Sequence, residues 1–215
     1  MQAEWLAKEF REKYAISNIL VARPEDALYS GLLEAPLDEN ERPFFIYPTM
    51  PRVHKNVELA CEVFLDSRLG AYDLLLTLSG KENRYAKWLF NKYGGQSNIK
   101  FIDWQSRREL FERYAKSSGL IFPSLLETWG LPLSEYSNLN KPIIVSDLPF
   151  YKEPVAMASK VVPVSSREPS VWADAVLSTL SGNLATSNRR LLGAQPDIAG
   201  WREFWNQIIQ DCSNE

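Results

Sequence analysis

A chain of 215 residues, 45% hydrophobic and 24% charged, is long enough to bury the core of one ordinary domain. Its formal net charge of -3 and pI near 5.4 speak against a protein that coats nucleic-acid phosphates, which would carry a basic face or stripe. A single histidine, His54, leaves no imidazole for a nucleophile triad elsewhere and no zinc cluster, and Cys61 and Cys212 form neither a CxxC pair nor a disulfide ladder, which fits a reducing cytoplasm.

The chain opens on MQAEWLAKEFREKY, amphipathic and charged, without the apolar run of a signal peptide. No later stretch approaches the ~18 to 20 apolar residues of a membrane span. The expectation is therefore a soluble, cytoplasmic protein. Strands are predicted at Asn18–Ala22, Phe44–Tyr47, Asp73–Ser79, Ile99–Ile102, Leu120–Pro123, Ile143–Ser146 and Val161–Val164. Helices are predicted between them, at Asn56–Phe64, Glu82–Tyr93, Ser106–Ser117, Leu131–Leu139 and Ser170–Leu180. Short apolar runs alternating with helical period give a doubly wound, Rossmann-like α/β domain: a mostly parallel sheet with helices on both faces. In such a sheet ligands collect beyond the carboxyl ends of the strands. Arg23–Arg42, with two prolines and the run DENE, has no clear periodicity and reads as a connector. The opening helix and a final amphipathic stretch, Gly200–Asp211, stand outside the repeat. Neither GxGxxG nor a P-loop occurs, since Gly80-Lys81 lacks the upstream glycine and the following Ser or Thr.

Chemistry concentrates in Pro123–Pro149, PSLLETWGLPLSEYSNLNKPIIVSDLP. A strand ends, a loop carries Glu127, and a helix starts near Gly130, with Pro132 suited to its first turn. Free amides around Thr128–Leu131 at a helix start favour an anion such as a diphosphate. Glu135 lies about one turn into that helix and so faces the same crevice as Glu127. Carboxylates are poor phosphate ligands and good acceptors for sugar hydroxyls, so the pair suits a ligand that carries both groups. A second segment, Phe44–Phe64, is again strand, loop and helix, and its cations Arg52 and Lys55 could reach a diphosphate across the crevice.

The first segment resembles the E-x7-E string of family 4 glycosyltransferases, PS-x-x-EGFGLP-x-x-EAMA-x-G-x-PVIASD-x-P, at Pro123, Ser124, Glu127, Gly130, Leu131, Pro132, Glu135, Pro142, Ser146, Asp147 and Pro149. The second resembles that family's YVGRL-x-x-EKG pattern, with Lys55 on the family lysine and Met50 in its arginine slot, leaving Arg52 as the nearby arginine. The likeness extends over roughly 44–180. Asp103 replaces a usual Gly, and Thr128-Trp129 replace Gly-Phe; a glycine needing positive φ there would leave the threonine strained or the loop changed.

The resemblance implies one half of a GT-B architecture, the half that binds a nucleotide-diphosphate sugar, within a retaining hexosyltransferase acting on glycan or lipid-linked acceptors. In that family Glu135 would hold ribose hydroxyls and Glu127 hexose hydroxyls. Lys55 and the amides of Thr128, Trp129, Gly130 and Leu131 would hold the diphosphate, with Glu127 and Lys55 carrying the catalytic contribution. Neither metal nor cofactor is implied. On this reading 1–42 joins the domain to an absent acceptor domain, 43–215 is the donor domain with its crossover helix, apolar docking surface is exposed, and peripheral membrane association of a full enzyme stays open. Trp129 could wall the sugar pocket and Trp104 lie near the base, with buried packing the equal alternative for each. A non-catalytic nucleotide or nucleotide-sugar binding module is the rival function.

Overall fold

Four-residue apolar runs, too short to be helices of a core, pair edge to edge into one sheet. The computed structural model describes residues 1–24 and 42–181. Six strands, β1 (Phe44–Tyr47), β2 (Asp73–Leu76), β3 (Ile99–Phe101), β4 (Gly119–Phe122), β5 (Ile143–Ser146) and β6 (Val161–Val164), form an all-parallel sheet in the order β3-β2-β1-β4-β5-β6. Every residue of β1, β2, β4 and β5 is buried, as expected where helices cover both faces.

The helices are α1 (Glu4–Tyr14), α2 (Val57–Phe64), α3 (Arg84–Tyr93), α4 (Arg107–Lys116), α5 (Leu131–Ser137) and α6 (Pro169–Leu180). Their starts follow local chemistry: Asn83 caps α3 through its side chain, Ser106 and Glu109 close a capping box on α4, and Pro132 sits in the first turn of α5. The core runs from Phe45, Ile46 and Phe64 under the sheet's centre to Trp172 and Val176 of α6.

The predicted strand Asn18–Ala22 is a correction. It joins no strand of the sheet; Ala22 makes an isolated bridge, its N–H bonded to the Met1 carbonyl at 2.8 Å. Val21 and Ala22 are buried, so the apolar run reported burial without reporting the sheet as partner. The final stretch Gly200–Asp211, most of the proposed connector and Cys212 lie outside the described residues. Among the described residues no helix is long and apolar enough to cross a membrane.

Strand order reverses where β1 is flanked by β2 on one side and β4 on the other. The loops leaving β1 and β4 therefore part in opposite directions and open a crevice between them, the topological switch point of an open α/β sheet.

Candidate functional site

Both sequence segments that carry charge meet at this crevice. The loop after β1 is held by two carbonyls. Tyr47 donates its hydroxyl to the Lys55 carbonyl at 2.6 Å, and the His54 carbonyl accepts the Leu125 N–H at 2.7 Å, tying the β1 loop to the β4 loop. His54 thus serves through its backbone. Asn56, at φ 50, turns the chain into α2 in the left-handed region that asparagine tolerates.

The consequence is a direct ion pair. The Lys55 ammonium donates to Glu127 Oε1 at 2.6 Å and Oε2 at 2.7 Å, with side chains 20% and 9% exposed. These two residues line a cavity of about 570 Å³. Thr128, Trp129, Gly130, Leu131 and Pro132 form its β4 side, and Thr49, Met50 and Thr77 its β1 and β2 side. Glu135, Trp104 and Gln105 border it from α5 and the β3 loop. Seven of the eight residues singled out in the sequence are therefore brought together: Lys55, Glu127, Thr128, Trp129, Gly130, Leu131 and Glu135. Arg52 is exposed on the same loop and is not among the cavity's lining residues.

Glu135 faces the other end. Arg107, in the first turn of α4, reaches Glu135 Oε1 at 3.2 Å, and Tyr114 donates its hydroxyl to Oε2 at 3.3 Å. Burial, with the Glu135 carboxylate beside it, holds the Tyr114 hydroxyl well above its ordinary pKa, so it remains a donor. The cavity thus has two carboxylates in separate settings, one paired with an ammonium and the other gripped by a guanidinium and a phenol.

Gly130 stands at φ 85 immediately before α5, a backbone conformation that glycine supplies cheaply. Thr128 is not in the left-handed region; Asp103, at φ 63, is. The strain anticipated for the threonine lies instead in the β3 loop. There Asp103 Oδ1 accepts the Trp104 N–H at 2.6 Å, and the Gln105 side-chain amide donates to the carbonyl of Ile102 at 2.8 Å. The result exposes Trp104 by 77% at the cavity rim, whereas Trp129 is 5% exposed and donates to Ser134 Oγ. Met50 and Leu131, also at the cavity, are exposed apolar residues. Among the described residues no three His, Cys, Asp or Glu side chains gather as a metal site.

Sequence reasoning missed Gln2, Thr49, Thr77, Arg107 and Tyr114. They reach the site from four places, Gln2 ahead of α1, Thr49 after β1, Thr77 after β2, and Arg107 and Tyr114 on α4, and nothing in their local pattern marks them.

The family described as Glycosyl transferases group 1 matches residues 33–192. Over 81 residues the chain is 30% identical to the O-antigen chain mannosyltransferase RfbU of Salmonella typhimurium strain LT2, a stretch covering 38% of this chain and 22% of that protein. Its fold is similar to sucrose-phosphate synthase from Thermosynechococcus elongatus, with TM-score 0.71 and 14% identity over 100% of this chain and 57% of that one. It is also similar to the pneumococcal O-GlcNAc transferase GtfA solved with UDP and GlcNAc, with TM-score 0.66 and 13% identity over 100% of this chain and 45% of that one. The chain spans about half the length of these solved structures.

Proposed function

The chain belongs to the group 1 glycosyl transferases, and on that premise we propose that it is the donor-binding half of a retaining, metal-independent hexosyltransferase. The donor is a nucleotide-diphosphate sugar, and the acceptor a glycan or lipid-linked glycan held by a second domain. The observation that carries this reading is the cavity at the switch point, which is lined by a cation, Lys55, and by two carboxylates with different partners, Glu127 on Lys55 and Glu135 on Arg107.

Each part has a chemical task. Lys55 and the amides of the Thr128–Leu131 loop take the diphosphate, whose charge rises as the sugar–phosphate bond breaks and the electron pair leaves with the diphosphate. Stabilising that developing charge with groups already in place is the domain's contribution to rate. Glu127 accepts from hydroxyls of the hexose and Glu135 from those of the ribose, in keeping with a carboxylate's role as an acceptor. Met50, Trp104 and Leu131, exposed at the cavity, offer apolar surface on which an acceptor domain could dock. One relative is an O-antigen chain mannosyltransferase, and polysaccharide synthesis of that kind is the setting proposed for this chain.

Calorimetric titration with UDP, GDP, ADP and their common sugars tests the reading, repeated with Lys55→Ala and Glu135→Ala. Each variant removes a charge-assisted contact of about 1.5–3 kcal/mol, roughly ten- to a hundred-fold in affinity. Selective binding of one nucleotide family that weakens in both variants supports the donor site. Enzyme-like transfer by this chain alone would refute the half-enzyme reading, and binding with no transfer after an acceptor domain is supplied would favour a binding module.

A further inference from the structure

One wall of the cavity comes from outside the sheet. Gln2, just ahead of α1, lines it beside Glu127 and Thr128. The Thr128 hydroxyl donates to Gln2 Oε1 at 2.8 Å. A side-chain amide whose oxygen is so engaged has its two N–H bonds left to give.

The position of Gln2 does not hang on that bond alone. Ala3 and Ala7 are fully buried, fixing the start of α1 against the domain. The Glu153 carboxylate accepts the N–H groups of Glu4 and Trp5 at 3.2 and 2.9 Å, where the donors of a helix start and its dipole favour negative charge. Arg23 pairs with the same Glu153 at 3.0 Å, and its guanidinium lies 5.8 Å from the centre of the Trp129 ring. The segment before β1 is therefore fastened at two points to the loop that follows Glu127, by Gln2 on Thr128 and by Arg23 on Trp129.

The side-chain contacts divide the cavity into two ends. Lys55, Glu127 and Thr128 form one, and Glu135 with Arg107 and Tyr114 the other. Gln2 belongs to the first through Thr128. We propose that Gln2 determines specificity for the transferred sugar: its amide N–H donates to an acceptor oxygen of the glycosyl unit, with Thr128 setting the amide's orientation. Arg23 and Glu153 are positioning residues that keep the segment on the loop. This rests on the cavity being a nucleotide-sugar site, and it assigns the glycosyl end a donor to complement the acceptor Glu127.

Titrating the full chain with a nucleoside diphosphate, and with the same nucleotide bearing its sugar, separates the two ideas. Gln2→Ala should weaken the nucleotide sugar about 3- to 10-fold, the range for one neutral hydrogen bond, and leave the nucleoside diphosphate unchanged. Thr128→Val, which removes the hydroxyl that orients Gln2, should weaken the nucleotide sugar to a similar extent, and the double variant should be no weaker than either single one. Glu153→Gln should reduce the sugar's increment with the diphosphate again unaffected, which a merely stabilising role would not do. An equal loss for both ligands, or an undiminished affinity for the nucleotide sugar, would overturn the role of Gln2. A wild-type chain that binds neither ligand sinks the nucleotide-sugar reading itself and this assignment with it.

Discussion

Glu127→Gln separates two tasks that the ion pair combines. Both carboxylate oxygens of Glu127 lie within 2.7 Å of the Lys55 ammonium, so a diphosphate that binds Lys55 competes with Glu127 for its charge and for two of its three N–H donors. The side chains are 20% and 9% exposed, which places the pair between exposed pairs, worth about 0–1 kcal/mol, and buried ones, which cost about 3–5 kcal/mol to break from one side. A coupling of about 2 kcal/mol follows, and it is subtracted from the affinity for any anion that competes for Lys55. The amide keeps the shape and an acceptor oxygen but removes the charge. A nucleoside diphosphate without sugar should therefore bind Glu127→Gln roughly 10- to 30-fold tighter than wild type, and Lys55→Met weaker by a similar factor. The nucleotide sugar should gain less in Glu127→Gln, because it loses its best hydroxyl acceptor. Calorimetric titration measures all three, and urea midpoints should show both single variants destabilised and the double variant partly restored. Weaker diphosphate binding by Glu127→Gln, matching the loss in Lys55→Met, would refute the competition and mean that the pair supports the loop as a unit.

Gly119→Ala should cost about 1–3 kcal/mol in urea unfolding, because its Cβ would fall 2.4 Å from Phe45 Cε1, and that ring is buried between Phe64 and Tyr72; an unchanged midpoint would show that the ring can move. Gly130→Ala, at φ 85, should lose about 1–2 kcal/mol of stability and weaken nucleotide binding together, and a loss of stability without loss of binding would detach this glycine from the site. Arg107→Ala should weaken a nucleoside diphosphate about 2- to 5-fold through Glu135 and leave inorganic pyrophosphate unaffected, whereas equal losses would assign Arg107 to the phosphates. Arg68, donating from its side chain and its backbone N–H, holds the Asp66 carboxyl down to about 2 from an ordinary 3.8. A depressed carboxylate contributes stability that is full above its unfolded pKa and lost as pH falls through the folded one, so the stability gap between wild type and Asp66→Asn should close between about pH 4 and pH 2, and a constant gap would refute the assignment.

The sheet was largely legible because each strand is a short run of apolar residues bounded by chemistry that stops it. Phe44–Tyr47, Ile143–Ser146 and Val161–Val164 match their predicted bounds. Strand β2 ends at Leu76, three residues before the predicted Ser79, since Thr77 turns its hydroxyl to the Thr49 backbone and the ladder stops there. Asn18–Ala22 failed for a reason of principle. An apolar run states that residues are buried; it does not state against what. The candidate site was legible where its residues are contiguous, from Glu127 to Glu135, and where a strand end delivers a cation, at Lys55. It was illegible where it is assembled across elements. Arg107 and Tyr114 meet Glu135 only because α4 and α5 flank β4, and no spacing in the sequence records that neighbour relation.

The loop after β4 shows the same limit acting on residue identity. Against the family pattern, Thr128 and Trp129 stand where Gly and Phe are usual, and backbone conformation does not explain the change, since neither has a positive φ and the nearest residue that does is Gly130. Both substituted side chains are instead engaged by the segment before β1: Thr128 donates to Gln2 and Trp129 lies under Arg23. A glycine offers no hydroxyl to an amide, and a phenylalanine in place of Trp129 would lose the indole N–H that donates to Ser134. The pattern changes at the two positions where a second part of the chain comes to rest on the loop. An element outside the sheet therefore accounts for departures that the sheet and the loop's own backbone leave without cause.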